Sequence, residues 1–338
     1  MKLNLGIVGF GYWGPNIVRN FYGHSDIEIF SICDKSEDRR VAAKSAYPDI
    51  EVTSDSDTLI SNEKIDAVAI ITPVFTHFDL AKKALENGKH VFIEKPFTST
   101  SEQAEELIKL ADAKDLVIMV DHTFLFTGAV RKMKELVDDG TIGDLYYYDS
   151  MRVNLGLFQH DVNVLWDLAP HDISIMQYLV PDLKPVSLNA TGVSHFPHGI
   201  EDVAYLTIKF ENNFIAHFNV NWMSPVKIRQ TLLAGSNKML VWDDIENDYK
   251  LRVYDKGVSI SEKSEIYNLL IQYRSGDMFT PKLEQLEALK LETQHFVDAI
   301  SKGIKPINGG QEGLDVVRVL EASEKSIKNG GKEVFFSD

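Results

Sequence analysis

The chain has 338 residues, 44% hydrophobic and 25% charged, enough to bury a sizeable core and to build two domains. Its formal net charge of −15 disfavours nonspecific adhesion to nucleic acid, and no basic stripe with interleaved aromatics offsets it. No apolar run approaches the roughly 18 residues of a membrane span, and the opening residues read as a strand rather than a signal peptide, so a cytoplasmic protein without nucleic-acid or membrane partners is expected.

Residues 5 to 34 read as one nucleotide-binding unit: an apolar strand (Leu5, Ile7, Val8), the turn Gly9-Phe10-Gly11-Tyr12-Trp13-Gly14, a helix, a second strand from Ile27 to Cys33, and Asp34 at its end. The first glycine permits the tight turn, the second lets backbone approach a pyrophosphate, and the third lets helix and strand pack. Free N–H groups at the helix start face the phosphate charge, and Pro15 is compatible with a first helical turn. Strand before, helix after and acid beyond make the glycine pattern a dinucleotide site. Asp34 accepts ribose hydroxyls and repels a 2′-phosphate, which favours NAD over NADP; Lys35, Arg39 and Arg40 are the local counterweight. The single cysteine, Cys33, lies in a buried-looking strand and acts as a small hydrophobe.

Strands at 51–52, 67–71, 90–93 and 117–120, with helices near 76–87 and 101–113, continue an alternating pattern that predicts a doubly wound parallel sheet, an α/β Rossmann domain over 1–121. Beyond it, segments 145–154, 186–194, 202–210, 213–222, 226–234 and 238–243 are β-branched or aromatic, with turn signals at Glu211-Asn212-Asn213 and Gly235-Ser236-Asn237. They predict a large, mostly antiparallel open sheet in a second α/β domain, 122–338. Helices over 282–302 and 312–328, the latter stopped by Asn329-Gly330-Gly331, are expected to pack back on the first domain.

Chemistry belongs at the carboxyl ends of the parallel strands. Thr72-Pro73 through His77 follow the fourth strand, Glu94-Lys95-Pro96 the fifth, and His122-Thr123-Phe124 the sixth. The proline after Lys95 keeps that lysine's backbone extended and so directs its side chain. Trp166-Asp167-Leu168-Ala169-Pro170-His171 opens another helix, with Asp167 and His171 four apart on one face. Asp167 is alternatively read there as the helix N-cap, with Pro170 in the first turn. His195 and His198 lack two further ligands at zinc spacing, so no metal is expected.

Gly9 to Gly14, Thr72-Pro73 with His77, Glu94-Lys95-Pro96, and the later Asp167 and His171 together resemble the Gfo/Idh/MocA oxidoreductases, the glucose-fructose oxidoreductase and inositol dehydrogenase group. The resemblance extends over essentially the whole chain. It implies NAD(P)-dependent chemistry at a sugar or cyclitol carbon, Lys95 and His171 as the catalytic pair with Asp167 beside them, a cis Lys95-Pro96 bond, substrate binding and oligomerisation by the 122–338 domain, and a homo-oligomer, dimer or tetramer, contacting through the second sheet. The cofactor set is then Gly9, Phe10, Gly11, Tyr12, Trp13, Gly14, Asp34, Lys35, Thr72, Pro73, His77, Glu94 and Lys95.

The stretch Arg152-Val153-Asn154-Leu155-Gly156 through His160 to Asp167, with Gly11-Tyr12-Trp13-Gly14-Pro15-Asn16, resembles the nucleotide-sugar branch, which includes enzymes that oxidise the 3-hydroxyl of UDP-N-acetylglucosamine or its uronic acid. Physically, Arg152 suits a carboxylate or diphosphate, and Asn154, Gln159 and Asn163 suit hydroxyls. Phe158 and Trp166 suit either a wall against sugar or uracil or the core. Lys95, His122, Arg152, Asn154, Asn163, Trp166, Asp167 and His171 are therefore the expected substrate contacts. Alternatives are an inositol or free-sugar dehydrogenase and a non-catalytic cofactor or sugar sensor, against which the retained Lys95 and His171 argue.

Overall fold

The computed structural model describes residues 2–156, 158–196, 199–261 and 270–336. The chain falls into two compact units, Met1–Thr127 with Leu286–Glu321, and Gly128–Gln285 with Ala322–Asp338.

In the first unit, β1 (Leu3–Val8), β2 (Ile27–Cys33), β3 (Glu51–Thr53), β4 (Ala67–Ile70), β5 (His90–Ile93) and β6 (Ile118–Val120) alternate with α1 (Gly14–Tyr22), α2 (Glu37–Ala46), α3 (Ser56–Ser61), α4 (His77–Glu86) and α5 (Ser101–Lys114). The strands form a six-stranded sheet in the order β3-β2-β1-β4-β5-β6, and its pairings are parallel. β4 and β6 are buried at every position, as apolar strands covered on both faces must be. The order reverses at β1 and β4, the topological switch beside which α/β sheets bind ligands. This is the Rossmann arrangement the alternation implies.

The second unit holds α6 (Gly128–Asp138), β7 (Leu145–Leu155), α7 (Val164–Leu179), β8 (Pro185–Val193), β9 (Val203–Phe210), β10 (Ile215–Asn221), β11 (Met223–Gly235), β12 (Met239–Asp243), β13 (Leu251–Tyr254), β14 (Gly257–Ser261), β15 (Leu270–Arg274), β16 (Met278–Phe279) and β17 (Val334–Phe335). Nine strands make one sheet, β16-β13-β12-β11-β7-β10-β9-β8-β17. Its pairings are antiparallel except β7 with β10, so the sheet is mixed. The β9–β10 turn works because Asn212 (φ 63°) and Asn213 (φ 61°) accept left-handed backbone. α6 and the short β13 and β16 carry little sequence signal and come only from the structure.

α8 (Ala288–Lys302) and α9 (Gly310–Lys328) follow. α8 starts six residues later than the 282–302 reading: Leu286 is 56% exposed, so the preceding segment has no apolar stripe to bury and stays extended. Phe296 of α8 closes an edge-to-face cluster with Phe92 of β5 and Phe21 of α1 inside the first unit. α9 ends where Gly330 and Gly331 take left-handed φ, and the Gly331 N–H donates to Ser326 O at 2.9 Å.

Candidate functional site

The glycine turn is sterically committed. Gly9 has φ 105°, and a Cβ there would lie 2.1 Å from the Ile71 carbonyl oxygen; one on Gly14 would lie 2.9 Å from that of Gly9. At Gly11 a Cβ would meet only the Arg39 guanidinium, at 3.4 Å, so the backbone is open to a ligand. α1 begins with no acidic residue in its first turn and no side-chain cap from Trp13, which leaves its positive end for an anion. The Asp34 carboxylate, 7% exposed, accepts the N–H groups of Phe10 and Ser36, each at 2.8 Å, and so fastens the turn to the end of β2. Arg40 donates to the carbonyls of Asp34 and Lys35, leaving Arg39, 3.8 Å from the Asp34 carboxylate, as the nearer cation; the Lys35 side chain is exposed. These features fit a diphosphate-linked dinucleotide. We expect NAD(H) to bind at least about tenfold more tightly than NADP(H), about 1.4 kcal/mol, and Asp34→Ala to narrow the gap; equal affinities by calorimetry would remove Asp34 from cofactor selection.

Thr72, Pro73 and Lys95 follow β4 and β5 at their carboxyl ends, and the Lys95-Pro96 bond is cis. His77 is corrected from cofactor contact to internal tie. Its ring is wholly buried, with Nε2 2.7 Å from Thr72 O and Nδ1 2.9 Å from Pro96 O. Burial lowers its pKa against the opposing pull of those carbonyls. His122 is also buried, 1% exposed, and burial together with the Lys95 charge pushes its pKa down to about 3. It is a neutral ring beside Lys95. Tyr12 is exposed, whereas the Trp13 indole donates to the Asp121 carboxylate at 2.8 Å and ties the cofactor turn to the end of β6.

In the second unit, Asn163 is the N-cap of α7: its Oδ1 accepts from Leu165 N (3.1 Å) and Trp166 N (3.2 Å), while its Nδ2 donates to Glu201. Its side chain is thus committed to the fold, which corrects the substrate-contact reading. Asp167 is not the cap, and Pro170 sits within the helix rather than its first turn. Asp167 instead accepts the Trp222 indole N–H at 2.9 Å, one turn before His171. Trp166, 8% exposed, belongs to the core; Phe158 remains 39% exposed and packs 5.5 Å from Trp222 and 5.0 Å from Phe196. Asn154 stays partly exposed on β7.

Arg152 requires the largest correction. It is 3% exposed, and Nε and Nη2 grip both oxygens of Asp172 at 2.7 and 2.9 Å. A guanidinium already neutralised in the interior is not an anchor for an incoming anion. The sequence places Arg152 and Asp172 20 residues apart on different elements, so nothing local reveals the pair. Trp222 and Asp121 escape notice for the same reason: each acts through a partner distant in sequence. His195 pairs with Asp202 at 2.7 Å, and His198 lies outside the described residues.

The glycine turn, its acid and the parallel sheet define a dinucleotide-binding α/β protein. Residues 3–122 match the family model described as an oxidoreductase family with NAD-binding Rossmann fold, and residues 130–241 match that of the GFO/IDH/MocA C-terminal domain. The chain belongs to the Gfo/Idh/MocA oxidoreductase family and binds NAD. It is 32% identical over 201 residues to an uncharacterized oxidoreductase of Escherichia coli K12, covering 55% of this chain and only 57% of that protein. It is 26% identical over 265 residues to a UDP-N-acetylglucosamine 3-dehydrogenase of Acidithiobacillus ferrooxidans, covering 76% of this chain and 78% of the relative. A solved structure of a 3-dehydrogenase of that name from the same organism superposes with TM-score 0.82 at 22% identity, over 97% of this chain and 99% of the other, a likeness of fold. An inositol 2-dehydrogenase of Rhizobium meliloti is 23% identical over 340 residues, covering 97% of each chain. No helix among the described residues is long and apolar enough to cross a membrane.

Proposed function

We propose that the protein oxidises or reduces a secondary hydroxyl carbon of a sugar, with Lys95, His171 and Asp167 as its working residues and the 3-position of a UDP-linked N-acetylhexosamine or its uronic acid as the substrate class. The observation that carries the reading is the placement of Lys95 at the carboxyl end of β5 within the unit that binds NAD. NAD supplies the hydride acceptor or donor. The hydroxyl proton needs a base near neutral pKa, a role suited to His171, while Lys95 stabilises the oxygen as it becomes a carbonyl; the two roles are interchangeable. His122, held neutral and buried, serves the Lys95 environment rather than accepting that proton.

Substrate class rests on the relative matched over three quarters of this chain and on the exposed Phe158–Phe196 pair backed by Trp222, an aromatic surface suited to sugar or uracil. The Arg152 argument for an anion no longer supports it. A UDP-linked N-acetylhexosamine should reduce bound NAD, read as absorbance of the reduced nicotinamide, and should raise the melting temperature. Turnover of myo-inositol with no response to UDP-sugars would establish the inositol reading, which the match to the Rhizobium protein favours. Stabilisation by a UDP-sugar without absorbance change would mark a sensor. Assembly as a dimer or tetramer is proposed for the second sheet, whose strands expose Val186, Val193, Tyr205 and Ile215.

A further inference from the structure

At the carboxyl ends of β5 and β6 the first unit brings three acids close together, Glu94, Asp121 and Glu292. Asp121, 1% exposed, follows β6, and Glu292, 0% exposed, lies on α8; Glu94 adjoins them at the end of β5. Two oxygens have assigned donors: Asp121 Oδ2 takes the Trp13 indole N–H at 2.8 Å, and Glu292 Oε1 takes Asn308 Nδ2 at 2.9 Å. Asn308 is itself fixed, its Nδ2 also reaching Val120 O at 2.6 Å. The remaining oxygens, Asp121 Oδ1 and Glu292 Oε2, are both buried and have no close hydrogen-bond partner; the Thr123 hydroxyl is a further donor near Glu292, and the Glu292 and Glu94 side chains both lie within hydrogen-bonding reach of Asp121. Two carboxylates cannot satisfy one another. A carboxyl and a carboxylate can, through one O–H···O bond.

We propose that Asp121 and Glu292 share one proton and act as positioning residues for the cofactor turn: the proton removes their mutual repulsion, leaves Asp121 oriented to accept the Trp13 N–H, and so links cofactor binding to protonation of the pair. Burial and the neighbouring Asp121 charge raise Glu292 well above the usual carboxylate range, and the same two causes raise Glu94. The charged or titratable groups facing the pair are Glu94 and Lys95 from the end of β5 and His122 from the end of β6, the last held neutral. The consequence for Trp13 is direct, because it belongs to the glycine turn itself. Loss of the shared proton places two negative charges together behind that turn and weakens its anchor.

The sign follows from linkage. A carboxyl whose folded pKa is raised binds its proton more tightly when folded, so its stabilising contribution is full below the unfolded value, near 4.3, and is lost as pH rises towards the folded value. Glu292→Gln provides the test, since its amide donates towards Asp121 as the protonated acid does and cannot ionise. Its melting temperature should match wild type near pH 5 and exceed it near pH 8.5. NADH affinity, measured by calorimetry on the whole protein, should fall at least about threefold from pH 6 to 9 in wild type and stay nearly constant in Glu292→Gln. Asp121→Asn, which keeps an acceptor for Trp13 and a donor for Glu292, should give the same flattening. Parallel melting curves for wild type and Glu292→Gln across pH, or equal pH slopes of NADH binding, would overturn the proposal while leaving the dehydrogenase reading intact. It depends on the NAD-binding turn alone, so failure of every sugar substrate would not affect it; were wild type not to bind NADH, the proposed link to the cofactor would be overturned, and the melting curves would decide the proton pair.

Discussion

Lys95→Ala and His171→Ala should each lower turnover by roughly 10² or more while leaving NADH affinity nearly unchanged. Under the proposed function both side chains act on charge that develops on the substrate oxygen during hydride transfer, so their removal is expected to act on the transition state and not on cofactor binding. The two variants should differ in pH dependence. With His171 as the proton acceptor, His171→Ala should remove the limb that reports it, whereas Lys95→Ala should lift the depression of His122, which is partly owed to the Lys95 charge. Lys95→Arg serves as the control for charge alone, since a guanidinium does not give up its proton near neutral pH. Steady-state kinetics with an active UDP-sugar, beside calorimetric NADH titrations, decide the matter: near-wild-type turnover in either alanine variant removes that residue from the mechanism.

Arg152→Ala should cost stability, by about 3–5 kcal/mol, because it strands the buried Asp172 carboxylate without its cation. The pair is doubly hydrogen-bonded and almost wholly enclosed, and the Tyr148 hydroxyl donates to the Asp172 carbonyl at 3.2 Å, joining β7 to α7 around it. Replacing both members with apolar side chains of similar volume, Arg152→Met with Asp172→Leu, should recover most of the loss, since removing both members leaves neither charge stranded. Urea unfolding measures both effects. Unchanged stability in Arg152→Ala, coupled to weaker binding of a UDP-sugar, would restore the anion-anchor role that the geometry takes away.

The boundary between what the sequence discloses and what it conceals follows the range of the interactions. The glycine turn, the strand before it and the acid after it are contiguous, and each obeys a local rule of sterics or hydrogen bonding, so the Rossmann unit is legible residue by residue. Alternating β-branched segments likewise foretell a large sheet, though not that β7 and β10 would run parallel within it. Side-chain roles are another matter. Asn163 looks like a hydroxyl ligand, with the cap role read onto Asp167, until its Oδ1 is seen against Leu165 and Trp166, and His77 looks like a ligand until both nitrogens are found on backbone carbonyls. Arg152, Asp121 and Trp222 take their meaning from partners 20, 108 and 55 residues away. No local pattern contains that information.

If Asp167 contacts the sugar as proposed, the Trp222–Asp167 bond also bears on which side of the reaction is held more firmly. An indole N–H can only donate, so Asp167 Oδ2 is held there as an acceptor. A carboxyl group so held rewards a ligand that brings its own hydrogen. An alcohol does so; the ketone formed from it does not. With Asp167 at the sugar, the spent molecule would lose a hydrogen bond at the moment of its formation, and departure after oxidation would be easier than arrival for the reverse reaction.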